Sequence, residues 1–137
     1  MTRGMASLSD PAVSALLGKP NHAVLSTLNQ DGSVHTAMVW LDVEDDTVAI
    51  NSQRGRVWPS NLERDGRATL TLLNQENPYE YVEIKGVAEV AGEGADEHID
   101  RLAQKYINQD TYPWRVPGTE RVKFVISGPH VRYVKAG

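Results

Sequence analysis

Along the chain the spacing of apolar residues switches between a helical period and a period of two, and each switch predicts an element. Val13, Leu16 and Leu17 form one apolar stripe, with Ser9 placed as a cap, Pro11 in the first turn and Gly18 where a helix stops. This predicts a short amphipathic helix. Strand-like segments follow at 22–28, 34–43 and 47–51, separated by the turn stretches NQDG (29–32) and EDD (44–46). Connections this short make an antiparallel meander, because a parallel crossover needs roughly a dozen residues or more. In RATLTLLN (67–74), Thr69 and Thr71 alternate with Leu70 and Leu72, the mark of a strand with two unlike faces. YEYVEIKGVAEVA (79–91) reads as a long strand with Gly86 as a bulge or bend. Ile99, Leu102, Ala103, Tyr106 and Ile107 return to helical spacing, which predicts an amphipathic helix over 96–108 with His98 on its polar side. A loop with two prolines (109–120) leads to RVKFVIS (121–127) and HVRYVK (130–135), strands divided by Gly128-Pro129.

The sum is a mainly β chain with flanking helices. Six to seven sequential antiparallel strands leave exposed edges as an open sheet, and closure into a barrel removes them. With 137 residues, 40% apolar and 23% charged, the chain has the balance of one globular domain over 1–137, with 1–8 expected to be flexible. The net charge of −4 argues against non-specific nucleic-acid binding. The lack of cysteine excludes disulfides, thiolate nucleophiles and cysteine metal sites. No segment approaches the roughly 20 apolar residues of a membrane span, and the N-terminal stretch has no long apolar run, so a cytoplasmic protein without a membrane partner is expected.

Familiar catalytic patterns are missing. There is no G-x-S-x-G, no H-E-x-x-H, no Walker loop and no G-x-G-x-x-G. His22 and His130 begin strands, His98 lies in the long helix, and each reads as structural; His35 lies within a strand beside the candidate site. Metal binding is not expected. The stretch INSQRGRVWPSNLERD remains. Asn51, Ser52 and Gln53 offer side-chain donors at a strand end. Arg54 and Arg56 supply guanidinium forks suited to phosphate, Gly55 permits close backbone approach, and Pro59 favours a helix start with free N–H groups. This is a phosphate-site layout, and a solvated basic turn is the competing reading. Trp40, Trp58, Tyr79, Tyr81, Tyr112 and Trp114 serve either ordinary packing or the walls around a flat ring.

The order of these parts, from about Ser9 to Val134, resembles the flavin/deazaflavin oxidoreductase family, built on the split β-barrel of the pyridoxamine phosphate oxidase superfamily. HAVLSTLNQDGSVHTAMVW, INSQRGRVWPSNLERDGRATLTLL and YEYVEIKGVAEV carry the likeness, and N-L-x-R-D-x-R after the G-R-V turn is its most specific part. The ending YPWRVPGTERVKFVI is similar to the branch that uses the deazaflavin coenzyme F420 rather than FMN. The resemblance implies a homodimer with two shared cofactor sites. It implies a phosphate end at Asn51, Ser52, Gln53, Arg54, Gly55, Arg56, Val57 and Trp58. The ring would lie along Thr36–Trp40, with Ala37, Met38 and Val39, while Tyr79 and Tyr81 reach in from the partner chain. Relatives commonly carry a lysine where this chain has Trp58. The implied activity is hydride transfer from reduced F420 to a small conjugated molecule. An FMN-binding oxidoreductase and a non-catalytic cofactor carrier are the alternatives. No catalytic side chain is singled out; a tyrosine, an arginine or water supplies any proton.

Overall fold

The computed structural model describes residues 2–136, with side chains from Met5 onward. Nine strands and three helices follow one another as β1 (Thr2–Ala6), α1 (Pro11–Gly18), β2 (Ala23–Leu28), β3 (Val34–Val39), β4 (Leu41–Glu44), β5 (Thr47–Gln53), α2 (Val57–Arg64), β6 (Arg67–Asn74), β7 (Asn77–Ala91), α3 (Ala95–Ile107), β8 (Arg121–Ser127) and β9 (His130–Lys135). All pairings are antiparallel, and the hydrogen-bonded path runs β3-β2-β6-β7-β8-β5-β4, with β9 joining β7 to β1. This is the expected mainly β architecture with flanking helices.

The path does not close through hydrogen bonds. Its two ends, β3 and β4, are instead consecutive in sequence, separated by Trp40 alone. The pattern over 34–43 predicts one strand, but two form because the chain changes partner at Trp40. Val39 still pairs with Ala23, whereas Leu41 pairs with Ile50 on the other sheet half. A second hand-over occurs in β7. Its pairing with β9 ends at Lys85 and its pairing with β8 begins at Ala88. Gly86 sits between them, and a Cβ there would lie 2.5 Å from Ile126 Cγ2, so the crossing needs the missing side chain.

The alternating residues of the strands make the core. Leu25, Leu41, Ile50, Leu70, Leu72, Ile84, Phe124 and Ile126 are fully buried. β5 is buried on both faces, because α3 covers the side turned away from the barrel interior. At the N-terminus, Asp10 rather than Ser9 occupies the cap of α1, and its carboxylate accepts the Ser7 N–H at 3.0 Å. Thr2–Ala6, in the stretch expected to be flexible, pairs with Val131–Lys135 of β9, while Met1 lies outside the described residues.

Candidate functional site

The break at Trp40 opens a cleft, and a cavity of about 160 Å³ lies in it. Met38, Val39 and Trp40 form one wall. Asn51 and Ser52 at the end of β5, with Arg56 and Trp58 at the start of α2, form the second. Tyr112, Trp114 and Arg121 form the third.

The second wall is built by a turn. The Arg56 N–H donates to Gln53 O at 3.3 Å, and Gly55 takes φ +99°, the left-handed conformation that such a turn demands at its third residue. The turn aims the two arginines apart. Arg54 leaves the cavity and pairs with Glu63 at 2.6 Å and Glu120 at 3.3 Å. Arg56 faces the cavity at the N-cap of α2, which no side chain caps. Trp58 is packed into the core with its ring 5.7 Å from Phe124, so only part of it reaches the cavity. The N-L-x-R-D-x-R motif turns out to be scaffold. Asn61 donates to Thr27 Oγ1 at 3.1 Å and Asn29 Oδ1 at 3.0 Å, Arg64 donates to Leu28 O, and Asp65 pairs with Arg67 at 2.7 Å.

The third wall joins Tyr112 and Trp114, two of the aromatic residues expected either in packing or around a ring, to Arg121 at the start of β8. Arg121 Nε–H donates to Asn51 Oδ1 at 3.0 Å, and its guanidinium lies 5.0 Å from the Tyr112 ring centre. Burial lowers its pKa; Tyr112 opposes this, and nearby Arg56 and Arg115 add to it. Behind Asn51 lies His98. It is fully buried, not on the polar side of its helix as the spacing predicts, because Asn51 and Asp42 satisfy both ring nitrogens. Asn51 Nδ2 donates to Ala95 O at 2.9 Å and to His98 Nδ1 at 3.1 Å, which leaves the ring proton on Nε2, donated to Asp42 Oδ1 at 2.7 Å.

An aromatic cluster backs the cleft. Trp40 stacks on Tyr106 at 5.2 Å and 4°, and Tyr112 and Trp114 approach Trp40 at 6.1 and 6.3 Å. The Tyr106 hydroxyl accepts the Leu41 N–H and donates to Asn21 O, and burial pushes its pKa up to about 12. The loop carrying Tyr112 is tied to α3, with the Tyr112 N–H at 2.8 Å and Arg115 at 2.6 Å from Asp100 Oδ1. Burial pushes the Asp100 carboxyl up, but these two hydrogen bonds outweigh it and hold the pKa below the usual value.

Of the residues expected at a cofactor site, Met38, Val39, Asn51, Ser52, Arg56 and Trp58 converge on this cavity. Ala37, Gln53, Arg54, Gly55 and Val57 flank it without lining it. Tyr79 and Tyr81 lie on β7 outside the cavity of this chain, Tyr79 being 70% exposed. His98 is structural, as its place in the helix suggests, but spacing singles out neither its partners nor Arg121 as a residue of the cleft. An arginine opening RVKFVIS has the spacing of any polar strand residue, and a helical histidine announces nothing about its partners.

The outward-facing residues of β2 and β3 beside the cleft are uncharged, while Arg67 on β6 and Glu83 and Lys85 on β7 continue the same face. Val24 lies opposite Met38 and Thr71, and Ser26 opposite Thr36 and Thr69. Met38 is 65% and Val34 62% exposed on it. No helix among the described residues is long and apolar enough to cross a membrane.

An antiparallel barrel split at one strand junction, with a basic and aromatic cleft at the split, defines the class of protein. Residues 9–134 match the family model described as pyridoxamine 5′-phosphate oxidase, and the chain belongs to that family. Among solved structures it is similar to an F420 reductase, with TM-score 0.76, 19% identity, and 87% of this chain and 94% of that chain covered. A conserved hypothetical protein of Mycobacterium tuberculosis gives 0.73 and 19%, with 98% and 90% covered. The general stress protein 26 of Bacillus anthracis gives 0.66 and 17%, with 90% and 91% covered. At these identities the likeness is one of fold. No curated protein matches.

Proposed function

We propose that the protein is an F420-dependent reductase, acting as a homodimer on a small conjugated, electron-poor molecule. The carrying observation is the cleft at Trp40, where Arg56 and Arg121, without carboxylate partners among the described residues, face the exposed β3 wall and an aromatic cluster. An arginine pair suits a phosphate, and apolar and aromatic walls suit a flat ring. Arg56 and the uncapped start of α2 would hold the phosphate end, with Asn51 and Ser52 beside it, while Ala37, Met38 and Val39 would lie along the ring. The likeness to an F420 reductase favours F420, and family membership keeps FMN as the second candidate.

A second copy is part of the proposal. Ligand pockets usually enclose about 300–1,000 Å³, and the cleft of one chain falls short of that. The exposed apolar residues Val24, Val34 and Met38 of β2 and β3 run to the cleft's edge, where a partner would cover them and bring its Tyr79 and Tyr81 toward the ring.

A reduced deazaflavin, when bound, would supply hydride chemistry. Arg56, Asn51 and Ser52 would hold its phosphate, and Ala37, Met38 and Val39 on β3 would position its ring.

Absorbance titrations with F420 and with FMN test the reading, followed by substrate reduction in the presence of the bound, reduced cofactor. F420 binding with turnover is expected. Tight FMN binding without F420 binding selects the flavin alternative, and binding without turnover selects a carrier. Sedimentation should show a dimer; a 15 kDa monomer at all concentrations would remove the shared site.

A further inference from the structure

We propose that Arg121 is the second half of the anion hook, paired with Arg56, and that the buried Asp42–His98–Asn51 chain aims it; this rests on the cofactor reading above and names the residues that take the ligand's phosphate. Most of the arginines are already committed elsewhere. Arg54, Arg67, Arg101, Arg115 and Arg132 each have a carboxylate within 4.0 Å. Arg64 is committed to Leu28 O and Asn61. Among the described side chains, Arg56 and Arg121 are the two left over, and both line one cavity. Two guanidinium groups held near each other in a half-buried cleft repel, and an oxyanion between them relieves this. Arg121 spends its Nε–H on Asn51, and beside Tyr112 its guanidinium has no carboxylate partner among the described residues. None of its nitrogens is both sealed from solvent and unsatisfied, and Arg121 is part of the cleft lining.

The aim of Arg121 depends on which way the Asn51 amide faces. Reversed, it would present N–H groups to a guanidinium. Ala95 O accepts only, and His98 Nδ1 accepts as long as Asp42 holds the ring proton on Nε2. Those two acceptors fix the amide nitrogen inward and leave Oδ1 for Arg121. A fully buried imidazole between a carboxylate and an amide is costly to desolvate, and this orientation is what it secures. His98 is therefore a positioning residue and has no contact with the ligand.

The test compares ligand pairs that differ only in phosphate: FMN against riboflavin, and the ribityl 5′-phosphate of the deazaflavin against the same deazaflavin without phosphate. Arg121→Gln should weaken the phosphorylated ligand by about ten- to a hundredfold and leave the phosphate-free one within about twofold. His98→Gln should weaken the same ligand selectively, and its effect should vanish in an Arg121→Gln background. Equal binding of both ligands by Arg121→Gln and the parent overturns the assignment while the cofactor reading stands. If the parent binds neither pair, that reading fails, and titration with inorganic pyrophosphate, read by nitrogen NMR at the arginine side chains, tests the hook alone. Shifts at Arg56 and Arg121 support it, and unmoved signals overturn it. Should His98→Gln not fold, the ring nitrogen shifts of the parent decide, since a proton on Nδ1 would break the aiming chain.

Discussion

The cleft takes one arginine from each of two unlike regions. The segment 51–64 is compact and continuous: a strand end, a tight turn and a helix, with Arg56 held at the junction by local geometry. The segment 95–121 is assembled over distance. Arg121 begins β8, but its direction is set by Asn51 on β5, His98 on α3 and Asp42 on β4. The first kind of site can be read along the chain. The second exists only once α3 has settled across β5.

The difference has consequences for what each region tolerates. Trp58 belongs to the local segment but is part of the barrel core against Phe124. Trp58→Ala should cost about 3–5 kcal/mol, the range for deleting a buried large aromatic, measured by denaturant unfolding. A loss under about 1 kcal/mol together with a large loss of ligand affinity would make Trp58 a ligand platform and erase the division between scaffold and cleft.

Arg56→Ala should do the opposite. Arg56 has no carboxylate partner to lose among the described residues, so the fold should change by less than about 0.5 kcal/mol. Binding of a phosphorylated ring should weaken by about ten- to a hundredfold. Calorimetric titration with a thermal melt as control separates the two quantities. If affinity is untouched, the turn is a solvated one, and the cleft takes its charge from Arg121 alone.

The legible part of the fold was whatever rests on local periodicity. The alternation Leu70/Leu72 against Thr69/Thr71, the stripe of α3 and the turn at Gly55 all follow from spacing and turn chemistry. The break at Trp40 did not, because the apolar run from Ala37 to Leu41 continues unbroken through a point where only the hydrogen-bonding partner changes. His98 was placed on a polar face because its polarity matched its neighbours there; its burial depends on Asp42 and Asn51, both more than 40 residues away. The same locality explains why N-L-x-R-D-x-R stands out in the sequence yet serves as scaffold: Asn61 and Arg64 bind the β2–β3 hairpin rather than the cleft.

The distant assembly also has a pH signature. Lys105 at the end of α3 donates to Leu17 O and Leu41 O, tying α3 to α1 and β4. Burial lowers its pKa from 10.5 to about 8, with Asp42 partly opposing the shift. The unfolded chain therefore binds the proton more tightly than the native one, and stability should rise as pH goes from 8 toward 10. Above pH 10 the trend should reverse, because Tyr106 and Tyr133, with pKa values pushed up to about 12, keep protons that unfolded tyrosines release. Thermal melts of the parent and of Lys105→Met across this range check it. The rise should flatten in the variant, and an unchanged slope would assign it to another group.

Arg54 should give the smallest effect and the sharpest contrast, because it lies two residues from Arg56 in the same turn. Its guanidinium joins Glu63 and Glu120, and all three side chains are more than a third exposed. Exposed pairs of this kind contribute about 0.2–1 kcal/mol and are screened by salt. Arg54→Ala should therefore lower stability by less than about 1 kcal/mol, and by less again in 1 M salt. Ligand affinity should stay within about twofold of the parent, since the two carboxylates already neutralise the charge and the turn at Gly55 directs it away from the cavity. The turn itself should survive, because the Arg54 backbone N–H donates to Glu120 O at 2.8 Å whatever side chain it carries. A tenfold loss of affinity in Arg54→Ala would mean that the ion pairs open on binding, and that both arginines of the turn reach the ligand.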